Sequence, residues 1–317
     1  MNRFRVTFGL AVVAFVGSRT SAHAADAPFT FDAREPDPTW EVDSSIWGES
    51  YSIQSPQSQE GGNQEGVSLA MTQFLAPLRD DGSPYSLRPY LQRTSSLSVS
   101  TTAGHFSTHN PFGGQDRTWT SGGIGGGLAI YLKRWFVLTA NLGYEYGVLH
   151  DVDISQSTHT LSGGAGVGFR ARDWLAIVNY DLDTSHSSGS SWASPRKYTS
   201  LTLFGAIARR FTISLSGNTV PAGGGGRLGV EYYPSPGIGI FGSGSASTGR
   251  LYQSPMTLTS YAGSAGIAAW IDASSGIVGS YTRTAYHEPM QVVGALTTSG
   301  YHETSNQLAL QVYMRFP

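Results

Sequence analysis

The chain has 317 residues, of which 13% are charged and none is cysteine, and its formal net charge is −2. The absence of cysteine excludes a disulfide framework and a thiolate metal site. The mean hydropathy is −0.16, and no apolar run of about 18 residues occurs beyond the N-terminus, which argues against a bundle of membrane-spanning helices. The mild charge gives no reason to expect nucleic acid as a partner.

The first 24 residues have the order of features that defines a secretory signal peptide. Arg3 and Arg5 precede a short apolar core at 6–17, and residues 22–24 read Ala-His-Ala, an A-x-A cleavage site. We therefore expect a mature chain with a formal charge of −5, since 17 basic residues would face 22 acidic ones. Residues 25–39 are rich in proline and acidic side chains, and we expect them to form an irregular periplasmic lead-in.

Residues 128–148 carry the clearest pattern in the chain, a hairpin with a very tight turn. In the second arm, at 136–146, apolar or aromatic side chains at the even positions alternate with mostly small or polar ones at the odd positions. A period of two is typical of a strand with two different faces. The hairpin therefore predicts one apolar face and one polar face.

The same unit repeats toward the end of the chain. Tight turns are expected at five places, 132–136, 170–175, 208–211, 231–237 and 269–276. Longer, more polar connections are expected at 150–157, 185–197, 218–226, 249–256 and 288–303. Short turns at one end and longer loops at the other are typical of an outer-membrane β-barrel. Each tight turn also has an expected membrane-interface aromatic, namely Trp135, Trp174, Phe211, Tyr232 and Trp270.

We predict an all-β fold, a single antiparallel up-and-down transmembrane barrel over 40–317 with about fourteen strands. Five tight turns give ten strands, and the terminal strand with one at 85–102 makes twelve. A further pair at 40–53 and 67–75, separated by a loop, makes fourteen, and twelve is the alternative. A soluble β-sandwich shows the same local alternation, but the turn asymmetry and the aromatic placement favour the barrel.

Polar side chains on the predicted inward faces are the main functional candidates. The expected pore-lining residues are Asn141, Glu145, Arg170, Asn179, Asp181, Asp183, Arg227, Glu231, Gln311 and Arg315. Opposed acidic and basic groups across a lumen would filter small polar solutes. Fourteen strands also leave more interior space than eight. The alternative is that these charges pair with one another and plug the barrel.

Three glycine-rich runs, at 122–127, 163–168 and 223–226, invite comparison with phosphate loops. None of them opens a predicted helix, and no Gly-Lys-Ser/Thr follows. Glycine on an inward face instead relieves crowding where a barrel wall curves and leaves room for a neighbouring aromatic ring. We expect this structural role and no cofactor or metal.

One constellation suggests an enzyme. His186 and Ser188, like His105 and Ser107, are two residues apart and would share a strand face, so that the histidine could deprotonate the serine. The segment with His186 resembles outer-membrane phospholipase A and the lipid A deacylases, which hold an H-x-S dyad at the extracellular rim. In those families Asn follows the Ser, whereas Gly189 follows here. An outer-leaflet lipid-modifying enzyme is therefore an alternative function.

The last strand alternates the apolar Leu308, Leu310, Val312, Met314 and Phe316 with mostly polar side chains. It resembles the C-terminal β-signal of bacterial outer-membrane barrels, although Phe316 is the penultimate residue. The resemblance implies that the barrel assembly machinery reads this strand, with Tyr313 and Phe316 in the signal.

Together, the signal peptide, the alternating strands and the terminal strand resemble the bacterial, porin-like class of outer-membrane barrels. This class implies an outer-membrane location in contact with lipid and lipopolysaccharide. The leading functional expectation is a passive pore for small polar solutes, with a closed structural or adhesive barrel as a further alternative.

Overall fold

The computed structural model describes residues 37–317 apart from short gaps. The gaps are 56–57, 110–116, 133–134, 152–153, 189–191, 209, 221–222, 251–256, 289–291, 294–295 and 298–300. The expected signal peptide and most of the expected lead-in lie outside the described residues, so both stay predictions.

The described chain forms a closed antiparallel barrel of fourteen strands, which confirms the predicted fold class and strand number. The strands are β1 (Trp40–Ser55), β2 (Ser58–Phe74), β3 (Ser96–His109), β4 (Arg117–Leu132), β5 (Phe136–Asp151), β6 (Ile154–Ala171), β7 (Trp174–Ser187), β8 (Arg196–Ile207), β9 (Phe211–Val220), β10 (Gly223–Ser235), β11 (Ile238–Arg250), β12 (Thr257–Trp270), β13 (Ser275–Glu288) and β16 (Tyr301–Phe316). Two short strands outside the barrel, β14 (Val292–Val293) and β15 (Leu296–Thr297), pair with each other. The barrel closes where β1 pairs with both β2 and β16.

The alternation of side chains decides which face of each strand lies outward. Large apolar side chains occupy the outer face, where Leu142 is 70% exposed and Leu308 is 68% exposed. Closure pairs every strand with two neighbours, so the wall has no open strand edge, as a lipid-exposed sheet requires. No helix within the described ranges is long and apolar enough to cross a membrane.

The two ends of the barrel differ in how the strands are connected. We call the end that holds Trp40 and Phe316 the turn end, and the opposite end the loop end. At the turn end, β6 joins β7 through two residues, and β10 joins β11 through two residues. Arg172, with a φ of 54°, and Ala208, with a φ of 49°, take the left-handed conformation that such tight connections require.

A carboxylate organises the turn between β12 and β13. Asp272 Oδ1 accepts hydrogen bonds from the backbone N–H groups of Ser274 and Ser275, both at 2.8 Å. It also accepts from the two serine hydroxyls, at 2.7 and 2.9 Å. These donors, the Ser274 hydroxyl first, hold the pKa of Asp272 below its ordinary value. Short side-chain bonds of this kind fix a turn without glycine.

The connection between β2 and β3 is the exception at the turn end. The predicted strand at 85–102 is wrong in its first half, because Tyr85–Leu87 is a 3-10 helix and Arg88–Leu91 is a single α-helical turn, α1. Pro89 explains the difference, since it cannot donate to a strand ladder but fits the first turn of a helix. We call residues 75–95 the crossing segment.

The strands also reach further toward the loop end than the alternation predicts. The predicted loop at 54–66 is wrong over most of its length, because β2 already begins at Ser58 and pairs with β1 up to Ser55. The predicted connection at 150–157 is likewise shorter, since β5 runs to Asp151 and β6 starts at Ile154. Ladder hydrogen bonds come from the backbone, so polar and glycine-rich sequence can extend a hairpin that a hydrophobic pattern does not mark.

Candidate functional site

The crossing segment lies across the turn end of the lumen. It starts and ends beside β2 and β3, where the Leu75 N–H donates to the Ser95 carbonyl at 2.8 Å. From there it reaches the opposite wall, where the Tyr85 N–H donates to the Pro236 carbonyl beyond β10. Tyr90 packs edge-on against Phe204 of β8, with ring centroids 4.4 Å apart. The lumen is therefore bridged at this end by protein.

Arg170 holds the crossing segment from β6. Its side chain is 1% exposed, and its Nη1 donates to the Tyr90 carbonyl. Its guanidinium lies over the Tyr90 ring, 4.3 Å from the centroid, and Nε donates to the Arg172 carbonyl at 3.0 Å. A buried guanidinium with these partners acts as a fixed clamp and leaves no charge free for a solute.

Arg315 holds the segment from β16 in the same way. It is 5% exposed, its Nη1 donates to the Tyr85 carbonyl at 2.8 Å, and its Nε pairs with Glu41 Oε2 at 2.7 Å. The guanidinium also lies 4.4 Å from the Trp270 ring. A third arginine, Arg88 of α1, pairs with Asp80 at 2.7 Å within the segment itself. Buried arginines with carboxylate or carbonyl partners thus hold the crossing segment at the turn end.

On the loop-end side of the crossing segment, the lumen holds a cavity of about 410 Å³ that we call the chamber. Its floor includes Ser86 and Pro89 of the crossing segment, and its wall comes from strands β8 to β13 together with β1 and β16. The main wall residues are Phe204, Arg227, Glu231, Phe241, Trp270 and Tyr313. Aromatic rings, hydroxyls and four charged residues, Glu41, Arg227, Glu231 and Arg315, therefore share one space of the size that small ligands occupy.

The part of the wall that runs from β5 to β8 carries a row of polar side chains. Thr139 donates to Asn179 at 2.9 Å, and Asn141 donates to Asp181 at 3.1 Å, in each case across the intervening strand β6. Glycine on β6 makes this possible, because a methyl group at Gly164 would lie 1.8 Å from Asp181 Oδ1. The glycines let polar side chains lie flat against the wall, which keeps the lumen wide.

All ten predicted pore-lining residues lie on inward faces, but they do different things. Arg170 and Arg315 are clamps for the crossing segment. Asp183 is paired near the loop end with Arg196 at 2.8 Å and with the Tyr198 hydroxyl at 2.7 Å. The others are Asn141, Glu145, Asn179, Asp181, Arg227, Glu231 and Gln311, and none of them forms an ion pair with another residue of the described ranges.

Four of the five predicted membrane-interface aromatics lie on outward faces. Trp135 stacks on Phe169 with ring centroids 6.2 Å apart, Trp174 covers Gly205, and Phe211 and Tyr232 are paired across β9 and β10. The prediction is wrong for Trp270, which is 8% exposed and stacks on Tyr313 inside the lumen. Trp270 lies two residues after the inward-facing Ala268, so the two side chains share the inner face of β12.

The structure does not form a dyad from His186 and Ser188. The His186 ring stacks on Trp192 with centroids 5.4 Å apart, and its Nδ1 has no hydrogen-bond partner. Ser188 Oγ instead accepts from the Ser157 N–H at 3.2 Å, which closes the β6–β7 ladder. His105 Nδ1 is bonded to Thr120 Oγ1 at 3.2 Å, and the Ser107 hydroxyl donates to the Asn63 carbonyl. Both serine hydroxyls are therefore hydrogen-bonded to backbone groups of neighbouring strands.

The predicted assembly-signal residues occupy opposite faces of β16. Phe316 is 39% exposed on the outer face, and Tyr313 lies inside against Trp270. Recognition by the assembly machinery stays a prediction. In the described part of the chain, no group of three or more His, Cys, Asp or Glu side chains could hold a metal ion.

The crossing segment and the residues it brings to the lumen do not follow from the alternation of side chains. Tyr85, Arg88 and Tyr90 fall in the predicted strand at 85–102, and Phe204 and Phe241 are not among the predicted site residues. One signal was present: 21 residues separate β2 from β3 at an end where the neighbouring connections have only a few. Two prolines, Pro84 and Pro89, interrupt that stretch and argue against a strand.

Comparison with known proteins gives the fold its class. No protein-family model and no curated relative matches the sequence. The barrel is similar to a FadL homologue of Pseudomonas aeruginosa, with a TM-score of 0.61 and 8% identity over 88% of this chain and 91% of that one. It is also similar to the Pseudomonas putida toluene transporter TodX, with a TM-score of 0.52 and 8% identity over 88% and 90%. For the monoaromatic hydrocarbon channel CymD the TM-score is 0.51, with 8% identity over 88% and 89%.

The fold thus defines a bacterial outer-membrane β-barrel, and the exposed apolar outer face belongs in that membrane. The predicted class and location are confirmed. The barrel fold is similar to that of these outer-membrane proteins, and an identity of 8% shows a likeness of fold alone. In this class the short turns face the periplasm, so the turn end with its crossing segment is the periplasmic end.

Proposed function

We propose that this barrel is a passive channel for small polar solutes, narrowed at its periplasmic mouth by the crossing segment. The observation that carries the proposal is the inward face, where hydroxyl, amide and glycine positions dominate the middle of the lumen. Ser243 and Ser264, for example, face each other across β11 and β12 at 2.7 Å. A lumen lined in this way offers hydrogen-bonding groups to water and to polar solutes.

The inward charges support weak selectivity. Asp181 and Glu145 lie on β7 and β5, and Arg227 lies on β10, three strands from β7 in the closed ring. Charges of opposite sign across a water-filled space set up a transverse field that orders polar solutes. A mixed lumen of this kind favours solutes by polarity and size more than by net charge.

A channel for hydrophobic compounds is the second candidate, because aromatic rings line the chamber. Phe204, Phe241 and Trp270 all face this space. TodX is described as a toluene transporter and CymD as a monoaromatic hydrocarbon channel. Here the rings alternate with Glu231, Arg227 and serine hydroxyls, and an apolar solute would have to desolvate those charges. This favours the polar solute.

The test is single-channel recording in a planar bilayer with purified, refolded protein. The proposal predicts stable conductance steps and a mild ion preference. Arg227→Gln should shift the preference toward cations, and Asp181→Asn with Glu145→Gln should shift it toward anions. Arg283→Gln is the matched control, since Arg283 lies exposed on the outer face of β13 and should leave selectivity unchanged. A folded barrel without conductance would overturn the proposal.

A further inference from the structure

Two charged groups in the chamber have no counter-ion. The Arg227 guanidinium donates from Nε and Nη2 to the Ser243 hydroxyl alone, at 3.2 and 3.0 Å. The Glu231 carboxylate has the Tyr233 and Thr212 hydroxyls as hydrogen-bonding partners. Neither group forms an ion pair with any residue within the described ranges.

The other two charged residues that line the chamber, Glu41 and Arg315, pair with each other. Arg315 has Glu41, Arg196 has Asp183, and Arg88 has Asp80, each at 2.8 Å or less. Charges in a confined space with low-dielectric walls attract an opposite charge far more strongly than they do in open water. An uncompensated guanidinium and an uncompensated carboxylate in the same cavity therefore call for a ligand with both signs of charge.

The spacing sets the length of that ligand. Arg227 and Glu231 lie four residues apart on β10, which is roughly 13 Å along a strand. Both side chains lean toward the turn end. Arg227 reaches Ser243, whose register partner is Gly229, and Glu231 Oε1 lies 3.3 Å from where a methyl group at Gly239 would stand. Because they lean the same way, the two charges stay roughly 13 Å apart.

An apolar contact lies between the two charges. Phe241 is the direct cross-strand partner of Glu231, and its ring covers Gly266, where an added methyl group would lie 2.2 Å from the ring. Phe204 contributes a second ring to the same cavity, and Tyr233 is bonded to Ser86 of the floor at 2.9 Å. The chamber thus has an anion-binding upper end, an aromatic middle and a cation-binding floor.

We infer that the chamber is a binding site for short linear peptides in their zwitterionic form. The peptide carboxylate lies on Arg227, and the terminal ammonium donates to Glu231, which retains lone pairs beyond those used by its two hydroxyl partners. An extended tripeptide spans about 10 Å, which leaves roughly 3 Å of the ~13 Å separation for the hydrogen bonds at its ends. The middle side chain then lies against Phe241. The inference rests on the proposed function only for the route by which a peptide reaches the chamber.

The test is equilibrium binding by titration calorimetry to the full refolded chain in detergent. The probe is triglycine, compared with N-acetyl-triglycine, which lacks the ammonium, and with triglycine amide, which lacks the carboxylate. Free glycine, a zwitterion with a short charge separation, is the length control. We expect triglycine to bind best and each blocked form to bind about tenfold more weakly, since each loses one charge-assisted hydrogen bond.

Variants separate the two ends of the site. Arg227→Gln should weaken the binding of triglycine about tenfold and leave that of triglycine amide unchanged. Glu231→Gln should likewise weaken the binding of triglycine about tenfold, but leave that of N-acetyl-triglycine unchanged. Arg283→Gln and Glu65→Gln, which change exposed outward charges, should alter nothing. Gly-Phe-Gly should bind more tightly than triglycine, and Phe241→Leu should remove that advantage. If the blocked forms bind as well as triglycine, or if no probe binds at millimolar concentration, the inference is wrong.

Binding and conduction can fail separately. A barrel that binds triglycine with this charge dependence but passes no current would support the peptide site and overturn the channel proposal. A barrel that conducts but does not distinguish triglycine from its blocked forms would support the channel proposal and overturn the peptide site. Because calorimetry needs no current, the two results do not depend on each other.

Discussion

The periplasmic end of the lumen and the chamber next to it use the same residue types in opposite ways. At the periplasmic end, Arg88, Arg170 and Arg315 are 1–5% exposed, and each is tied to a carboxylate or a backbone carbonyl. In the chamber, Arg227 is exposed and has only a serine hydroxyl. The difference indicates that the first set of arginines builds the structure, whereas the second is left available to a solute.

Deletion of the crossing segment should have the largest effect, because it removes the structure that narrows the periplasmic end of the lumen. Since Leu75 and Ser95 already meet through a hydrogen bond, residues 76–94 can be replaced by Asn-Gly, which closes a two-residue turn. Without the segment the periplasmic mouth should open, and we expect the single-channel conductance to rise at least ~2-fold. Retained heat-modifiable mobility on gels is the control for folding. An unchanged conductance would mean that the segment does not narrow the path.

A matched pair of arginine variants tests the division between structure and function. Arg170→Gln removes two hydrogen bonds to backbone carbonyls and the contact with the Tyr90 ring, so it should lower the free energy of unfolding by about 2–4 kcal/mol. Arg227→Gln removes only bonds to a serine and should cost less than about 1 kcal/mol. Urea unfolding in lipid vesicles measures both. Equal losses would remove the distinction.

Alanine substitutions of the β6 glycines test whether these glycines let polar side chains lie flat along the β5–β8 wall. A methyl group at Gly164 would displace Asp181 and weaken its bond to Asn141, so Gly164→Ala should cost about 1 kcal/mol and narrow the lumen. Gly163→Ala is the matched control, because its nearest neighbours would be at 3.5 and 3.6 Å, which is ordinary contact. Unfolding in urea and single-channel conductance should separate the two variants, and indistinguishable behaviour would contradict this role of Gly164.

The smallest effect is expected at the Asp272 turn. Because the pKa of Asp272 is lowered in the folded chain, its contribution is present above the unfolded value of 3.8 and is lost as the pH falls through the folded value. The turn is exposed, so the contribution should be a few tenths of a kcal/mol. Asp272→Asn should keep the turn and abolish this part of the pH dependence. Unfolding temperatures at about pH 7 and pH 3 measure it, and an unaltered pH dependence would contradict the assignment.

The sequence predicts the barrel wall well, because each wall residue obeys a local rule. The alternation at 136–146 places Leu138 outward and Asn141 inward, and the structure agrees. Trp270 shows that proximity to a turn does not decide the face of a strand residue, because it lies beside a turn and is 8% exposed inside the lumen. Side-chain parity, counted from the outward Ile267, would have placed Trp270 inside.

The crossing segment could not be predicted in the same way, since its position depends on contacts far away in the sequence. Tyr85 meets Arg315, and Tyr90 meets Arg170, at separations of 230 and 80 residues. No alternation marks such a segment, and only Pro84, Pro89 and the length of the connection indicate it. Likewise, Arg227 and Arg315 look alike in the sequence. Contacts with Glu41, the Tyr85 carbonyl and the Trp270 ring, all distant in the sequence, make Arg315 a clamp.

The most direct test of the channel is osmotic swelling of proteoliposomes that contain the full chain. The proposal predicts that the vesicles swell in isosmotic solutions of small neutral sugars, faster for smaller sugars and faster still for the variant without residues 76–94. A passive channel for polar solutes would be contradicted if vesicles with the folded full chain, and vesicles with the folded variant, both swelled no faster than protein-free vesicles.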